Sequence, residues 1–433
     1  MKIIFTKNNN KPLLIFFILY WILLWASINT APSEIYFFNQ GYKQSINAAR
    51  ILFPLLASML IFFLYIYIYI SEKIKLKKIE FFFLLFFASQ IIGLYFNKER
   101  SFDINNLYLA ILAIGSICLF TLCNHKQINN IIKYFIYISI LFLVLALFFA
   151  FLGKFDELNN LNFYKIFAEH DKNLLDQANP RITGISRMLA IINLFLILYF
   201  FSLKNFYLKN FLLFFLLLST MLLFFMESRG TLLCYFTSIT IVIFFLIRGK
   251  NIFKLKYFFI LFLLPILFYF FINYFFSSRI NLIDQNAKIN SRILNTTTSG
   301  RYEIWSYTIK NYDYKKNFGY GPNGDRFFLK DFDKKKMYGD NTSNIWFYTL
   351  VSGGVISIFF LVLIFFEIIK LLKEKKKIPY KNLFYYNFSI ICLVFFFIRS
   401  FFENSFGLFS IDFLITYLSL SYIVSSTQRL RNK

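Results

Sequence analysis

The chain has 433 residues, of which 58% are hydrophobic and 22% aromatic, and it carries a formal net charge of +25. Repeated apolar runs of about 20 residues mark transmembrane helices, and this composition excludes an ordinary soluble domain. Four cysteines without metal-site spacing and only two histidines exclude a disulfide framework and a multi-histidine metal site, so no metal and no cofactor are expected.

In chain order the apolar runs fall at roughly 12–29, 51–70, 80–96, 105–123, 131–152, 184–203, 207–226, 231–247, 257–275, 345–366, 384–400 and 408–425. They predict an all-α polytopic membrane protein of about twelve spans, forming a single membrane domain over residues 1–433. The first run has no small-residue cleavage site behind it and reads as a span, not a signal peptide. The alternation Tyr65-Ile66-Tyr67-Ile68-Tyr69-Ile70 has the period of a strand. It closes a run long enough to cross a bilayer, where only helices and closed barrels satisfy their backbones, so helix is expected. With 64 phenylalanines in the chain, no single Phe carries weight.

The charges set the topology. With the N-terminus inside, the inside segments carry Lys2, Lys7 and Lys11, then Lys73, Lys75, Lys77 and Lys78, then Lys126 and Lys133. Further on they carry Lys204 and Lys209, then Arg248, Lys250, Lys254 and Lys256, six lysines over Lys370–Lys381, and Arg429, Arg431 and Lys433. The outside loops are balanced or nearly uncharged. This asymmetry predicts both termini in the cytoplasm, and it accounts for the basic excess without nucleic acid.

Three features then face outward: the loop 153–183, the tight turn Glu227-Ser228-Arg229-Gly230, and the long polar loop 276–344. The last carries Trp305, Tyr307, Tyr312, Tyr314, Phe318 and Tyr320, which argues against disorder, and loops of this length are commonly functional. It is expected to wall an active site. Arg229 lies close to hydrocarbon, where a guanidinium is costly unless it meets protein, water or an anion. It is read either as a fork for phosphate or as a snorkelling Arg paired with Glu227. Arg301 opens a short amphipathic helix through Trp305 and Ile309, as a second phosphate contact or as an ordinary interfacial Arg. Gly319-Tyr320-Gly321-Pro322-Asn323-Gly324 is a turn cluster whose glycines allow close approach to a ligand, or a bland loop. Asp340-Asn341, just before the tenth run, is read as a general base on a sugar hydroxyl or as a helix N-cap. Ser352-Gly353-Gly354 permits close helix packing. Arg399 and Glu403 flank the last outside turn and are read as partners. His170 reads as solvated, and Arg181, entering the sixth run, as a third anion contact.

Together these pieces resemble the O-antigen ligase and O-antigen polymerase superfamily. The likeness rests on the span count, the long outside loop between spans nine and ten, and four motifs in order. They are Arg181-Ile182-Thr183-Gly184, Ser228-Arg229-Gly230, Ser299-Gly300-Arg301…Trp305 with Gly319-Tyr320-Gly321, and Arg399…Phe402-Glu403. The resemblance implies a GT-C-like fold in the bacterial inner membrane with its active site facing the periplasm. It implies transfer of a glycan from undecaprenyl diphosphate to an acceptor hydroxyl, the acceptor being another glycan or lipid A-core. Arg229 and Arg301 match the two arginines that hold the diphosphate. The ligases carry a histidine followed by Asn or Ser before span ten; this chain has Asp340-Asn341 there, which resembles the polymerase branch. The expected site is therefore Asp340, Arg229 and Arg301 as catalytic residues, with Arg181, Asn341, Trp305, Tyr320 and Glu403 binding substrate. A lipid-linked glycan transporter explains the spans and basic loops equally well, but not an aromatic outside loop bounded by Arg301 and Asp340.

Overall fold

A computed structural model of the chain describes Ile15, residues 40–72, 77–96, 104–123, 125–152, 182–226 and 228–247, Leu267, residues 301–314 and 317–330, Phe332, and residues 342–373, 383–405 and 411–431. Twelve helices lie among them. They are α1 (Gln40–Glu72), α2 (Lys78–Phe96), α3 (Ile104–Leu122), α4 (His125–Leu152), α5 (Ile182–Ser202), α6 (Phe206–Phe225), α7 (Arg229–Ile247), α8 (Arg301–Asn311), α9 (Gly324–Phe328), α10 (Ile345–Lys373), α11 (Leu383–Arg399) and α12 (Ile411–Arg431). No strand occurs among the described residues, and the Tyr–Ile alternation lies within α1. The predicted runs at 12–29 and 257–275, apart from Ile15 and Leu267, fall outside the described residues.

Among the described residues, five helices are long and apolar enough to cross a membrane: Leu52–Ser71, Lys78–Phe96, Gly184–Ser202, Phe206–Phe224 and Ile345–Lys373. Shorter apolar helices cover Ile111–Leu122, Gly230–Ile241 and Leu383–Arg399. The outward face of α6 carries Phe211, Phe214, Phe215 and Leu218, all exposed. A face like that is stable against lipid chains and aggregates in water. The chain is a membrane protein.

Helix ends are set by local chemistry. Lys77 donates its backbone N–H to Glu80 at 2.9 Å and its ammonium lies 3.4 Å from the same carboxylate, which fixes the first turn of α2. Asn205 caps α6 by accepting from the N–H groups of Tyr207 and Leu208. Asn344 does the same for α10, accepting from Trp346 and Phe347 at 2.8 and 3.4 Å.

The chain divides into two compact units. The first is formed by the described residues within 39–135 and 300–433. There α10 packs on α2, α1 on α3, and α11 on α12. Its core includes edge-to-face rings: Phe83 of α2 meets Tyr417 of α12 at 5.3 Å, and Phe87 meets Phe413 at 5.2 Å. A buried ion pair ties α11 to α12, Arg399 Nε to Asp412 at 3.1 Å, with Ser405 Oγ donating to the same carboxylate oxygen.

The second unit is formed by the described residues within 136–299. Here α5 is the central described helix, packing on both α6 and α7. Its links are side-chain hydrogen bonds in an apolar setting: Ser219 to Asn193 at 2.8 Å between α6 and α5, and Ser186 to Thr231 at 3.4 Å between α5 and α7. Bonds of this kind join helices where burial from water supplies no driving force.

One helix is interrupted. Gly354 in α10 has φ 68° and ψ −166°, a backbone only glycine adopts readily. Residues 317–321 seat against that break. Tyr320 and Gly321 donate their N–H groups to the carbonyls of Val351 and Ser352 at 2.7 and 2.8 Å, and Ile356 N–H donates to Asn317 at 3.4 Å. Non-helical backbone inside such a protein must find partners within the protein, and these three bonds supply them. The seam is closed from the far side by α2. A Cβ added at Gly93 would lie 2.9 Å from the Gly319 carbonyl and 3.1 Å from the Gly321 nitrogen. Gly353 gives room for helix against helix, a Cβ there lying 3.0 Å from Gln90 Cγ of α2, while Gly319 and Gly354 let the loop and α10 approach each other.

Candidate active site

The described part of the long loop folds onto the first unit as α8, the turn 317–323 and α9. Arg301 is the first residue of α8, where guanidinium and free helix N–H groups both favour anions. Glu303 in the same turn favours the helix start and offsets part of that charge. One turn later, Trp305 donates its indole N–H to the carbonyl of Thr342 at 2.8 Å and stacks on Phe347, ring centres 5.8 Å apart. Residues 301 and 305 share a face of α8, so the tryptophan anchors the face that bears the arginine.

Arg301 itself pairs with Glu403 at 3.5 Å, both side chains about a third exposed. Glu403 sits in the turn that follows α11, where its N–H donates to the carbonyl of Arg399. The expected Arg399–Glu403 partnership is therefore not a side-chain pair. Helix α11 ends at Arg399, the turn carries the carboxylate to Arg301, and Arg399 is taken by Asp412.

The segment before α10 is a second point of revision. Asp340 and Asn341 lie outside the described residues, and α10 starts at Ile345, capped by Asn344. Neither Asp340 nor Asn341 is that cap. The pair standing directly before the helix is Ser343-Asn344. Ser343 is held at φ 46°, in the left-handed region unfavourable to residues with a Cβ. Asn344 is tied on both sides, its N–H donating to Asn404 Oδ1 at 3.0 Å and its amide to the Phe401 carbonyl at 3.1 Å.

At the centre is a residue that sequence reasoning passed over. Asp325, in the first turn of α9, is 1% exposed. One carboxylate oxygen accepts from the N–H of Arg326 at 3.0 Å. The other accepts from Thr342 N–H at 3.0 Å, Thr342 hydroxyl at 3.2 Å and Asn404 amide at 3.3 Å. Burial pushes its pKa up from the ordinary carboxylate value. The hydrogen bonds from Thr342 and Arg326 and the charge of Arg326 pull the other way. In sequence, Asp325 looks like a turn residue after glycine; only the approach of residues 342 and 404 buries it.

Tyr320 is placed in a hydrophobic cluster with Tyr312, Leu350 and Val351, its ring against Phe327 and Phe328. It is 8% exposed and serves as packing there. Arg181 lies outside the described residues. Arg229 opens α7 in the second unit, and Ser228 Oγ beside it donates to Thr231 at 2.9 Å. Among the described residues no group of His, Cys, Asp or Glu side chains is arranged to hold a metal ion.

No curated protein and no solved structure matches the chain. A family model described as O-antigen ligase matches residues 213–362, about a third of the chain. The matched stretch contains both Ser228-Arg229-Gly230 and Arg301…Trp305, the turn at 319–324 and the start of α10, and it stops before Glu403. Over that third, the chain is similar to O-antigen ligases, and its described residues are those of a helical membrane protein.

Proposed function

We propose that the protein is a membrane glycosyltransferase moving a glycan from undecaprenyl diphosphate to an acceptor hydroxyl at the periplasmic face, and that it acts as a surface-polysaccharide polymerase. The observation that carries the reading is Arg301, at the head of α8 and restrained by a carboxylate that is itself a third exposed. An exposed ion pair is worth only about 0–1 kcal/mol, so exchanging Glu403 for a diphosphate costs little. Charge-assisted bonds from Arg to phosphate are roughly twice as strong as neutral ones.

The reaction balances without a cofactor. The acceptor oxygen attacks the anomeric carbon of the donor sugar, and the bond from that carbon to the phosphate oxygen breaks. Its electron pair leaves with undecaprenyl diphosphate, and the hydroxyl proton passes to a base. Arg301, and Arg229 on the strength of its motif, neutralise the charge growing on the leaving group. Donors preorganised for developing charge commonly account for about 10²–10³-fold in rate each. Asp340 stays in the proposal as the base, and Arg181 and Asn341 as substrate contacts, on sequence position alone. The polymerase branch is favoured because Ser343-Asn344 and Asp340-Asn341 both lack a histidine.

The test is glycan profiling of a deletion strain complemented with wild type, Arg301→Ala, Arg229→Ala or Asp340→Ala. Lipid A–core bearing one repeat unit in the deletion supports polymerase. Bare core with long polymer on undecaprenyl diphosphate makes the protein a ligase. Near-normal chains from both arginine variants sink the site. If purified protein moves lipid-linked glycan across a vesicle without releasing undecaprenyl diphosphate, the protein is a transporter.

A further inference from the structure

We infer that Asp325 is the positioning residue of this site. Through one carboxylate oxygen it holds both segments that fix Arg301, and it brackets the strained Ser343. The inference rests on the transferase reading for its meaning, and on geometry for its evidence.

Two arms leave that oxygen. The first runs to Thr342, whose N–H and hydroxyl both donate to it; the Thr342 carbonyl in turn receives the indole N–H of Trp305. Trp305 is one helical turn from Arg301 on the same face of α8. The second arm runs to the Asn404 amide, and Asn404 adjoins Glu403, the partner of Arg301. The arms therefore fix the arginine from its backbone side and from its charged end. They meet again across the α10 entrance, where Asn404 accepts the Asn344 N–H. Ser343 is thus flanked by Thr342, held by Asp325, and Asn344, held by Asn404. A left-handed conformation is unfavourable to a residue with a Cβ, and it persists when its neighbours are over-determined.

Asp325 is not a candidate for direct chemistry. At 1% exposure it is sealed from substrate, and the atoms around its carboxylate are donors already engaged. A carboxylate with four donors on two oxygens and no contact with solvent is built to orient. Arg326, on the same short helix, is its charged neighbour, and its own side chain is exposed.

The experiment uses the full-length protein in lipid nanodiscs, labelled with 5-fluorotryptophan and assayed on a synthetic undecaprenyl-diphosphate-linked glycan. The Trp305 resonance is assigned with Trp305→Phe. Asp325→Ala is expected to shift or broaden that resonance and to lower kcat about 10²-fold, the effect of a roughly 1 Å displacement of a positioned group, with KM nearly unchanged. Asp325→Asn keeps one acceptor oxygen and is expected to fall between. A Trp305 resonance and kcat both at wild-type values in Asp325→Ala overturn the inference. If that chain does not fold, Asn404→Ala decides: it cuts the arm to Glu403 and the bond from Asn344 while sparing the arm through Thr342, and a wild-type kcat there overturns it equally. Arg301→Ala separates the two claims. If it leaves transfer intact, the site at Arg301 fails, and if the wild type transfers nothing, the transferase reading fails; in either case the Trp305 resonance still tests the hold of Asp325 on α8.

Discussion

Replacing Gly354 by alanine tests the seam between the loop and α10. At φ 68° and ψ −166° an L-residue sits in a region close to glycine-only, which costs of order 1–3 kcal/mol. The new methyl would also collide with the Asn317 carbonyl oxygen, lie 2.6 Å from its carbon and 2.9 Å from the Gly319 nitrogen. These neighbours are backbone atoms and cannot swing away, so overpacking adds roughly 1–3 kcal/mol. The sum is roughly 2–6 kcal/mol, which for a unit of this size lowers the melting temperature by roughly 5–15 °C. Gly230→Ala is the matched control. It lies in α7 with nothing within 4 Å of the added atom, and alanine there should gain about 0.5–1 kcal/mol. Thermal unfolding of both variants in detergent, followed by light scattering, reads the difference. A Gly354→Ala protein melting with the wild type would refute the seam.

Arg399→Leu strands Asp412 in an apolar setting and should destabilise by about 3–5 kcal/mol, while the double replacement Arg399→Leu with Asp412→Leu should recover most of it; chemical denaturation of the three chains measures this, and a harmless single variant would refute it. Trp305→Phe keeps most of the stacking on Phe347 but removes the bond to Thr342, for a loss of about 1 kcal/mol and a several-fold fall in transfer rate. Asp325 gives a pH signature with a definite sign. Its folded pKa is raised above 3.8, so the folded state binds more protons, and wild-type stability falls as pH rises from that value through the raised one. Asp325→Asn lacks this slope, so its melting temperature relative to wild type should move upward with pH across that window. A gap independent of pH would remove the buried-charge argument.

The helices were readable because lipid demands uninterrupted apolar runs, and α2, α5 and α6 start and stop within a few residues of theirs. Arg301 at the head of a short helix was readable too, from Ser-Gly followed by an amphipathic pattern. What failed was partner choice. Arg399 and Glu403 are four apart and invite a local pair, but a helix end between them turns one toward Arg301 and leaves the other to Asp412. In Ser352-Gly353-Gly354, Gly353 meets a helix as small residues suggest, but Gly354 meets the loop, since sequence shows that a backbone can come close and not which backbone does. Asp325 was invisible for the same reason. Its environment is made by residues 342 and 404, and nothing near position 325 announces them.

The seam also has a consequence for biogenesis. Residues 317–321 leave the ribosome before Val351 and Ser352, so the N–H groups of Tyr320 and Gly321 have only water to bond until α10 is in place. The docking of the loop is therefore a late event, which waits for a downstream helix to complete its own receptor. Asp325 cannot join Thr342 to Asn404 until α11 has also been made. A nascent or truncated chain would carry Arg301 without the frame that aims it, and so would not act on lipid-linked glycan before its own assembly is finished.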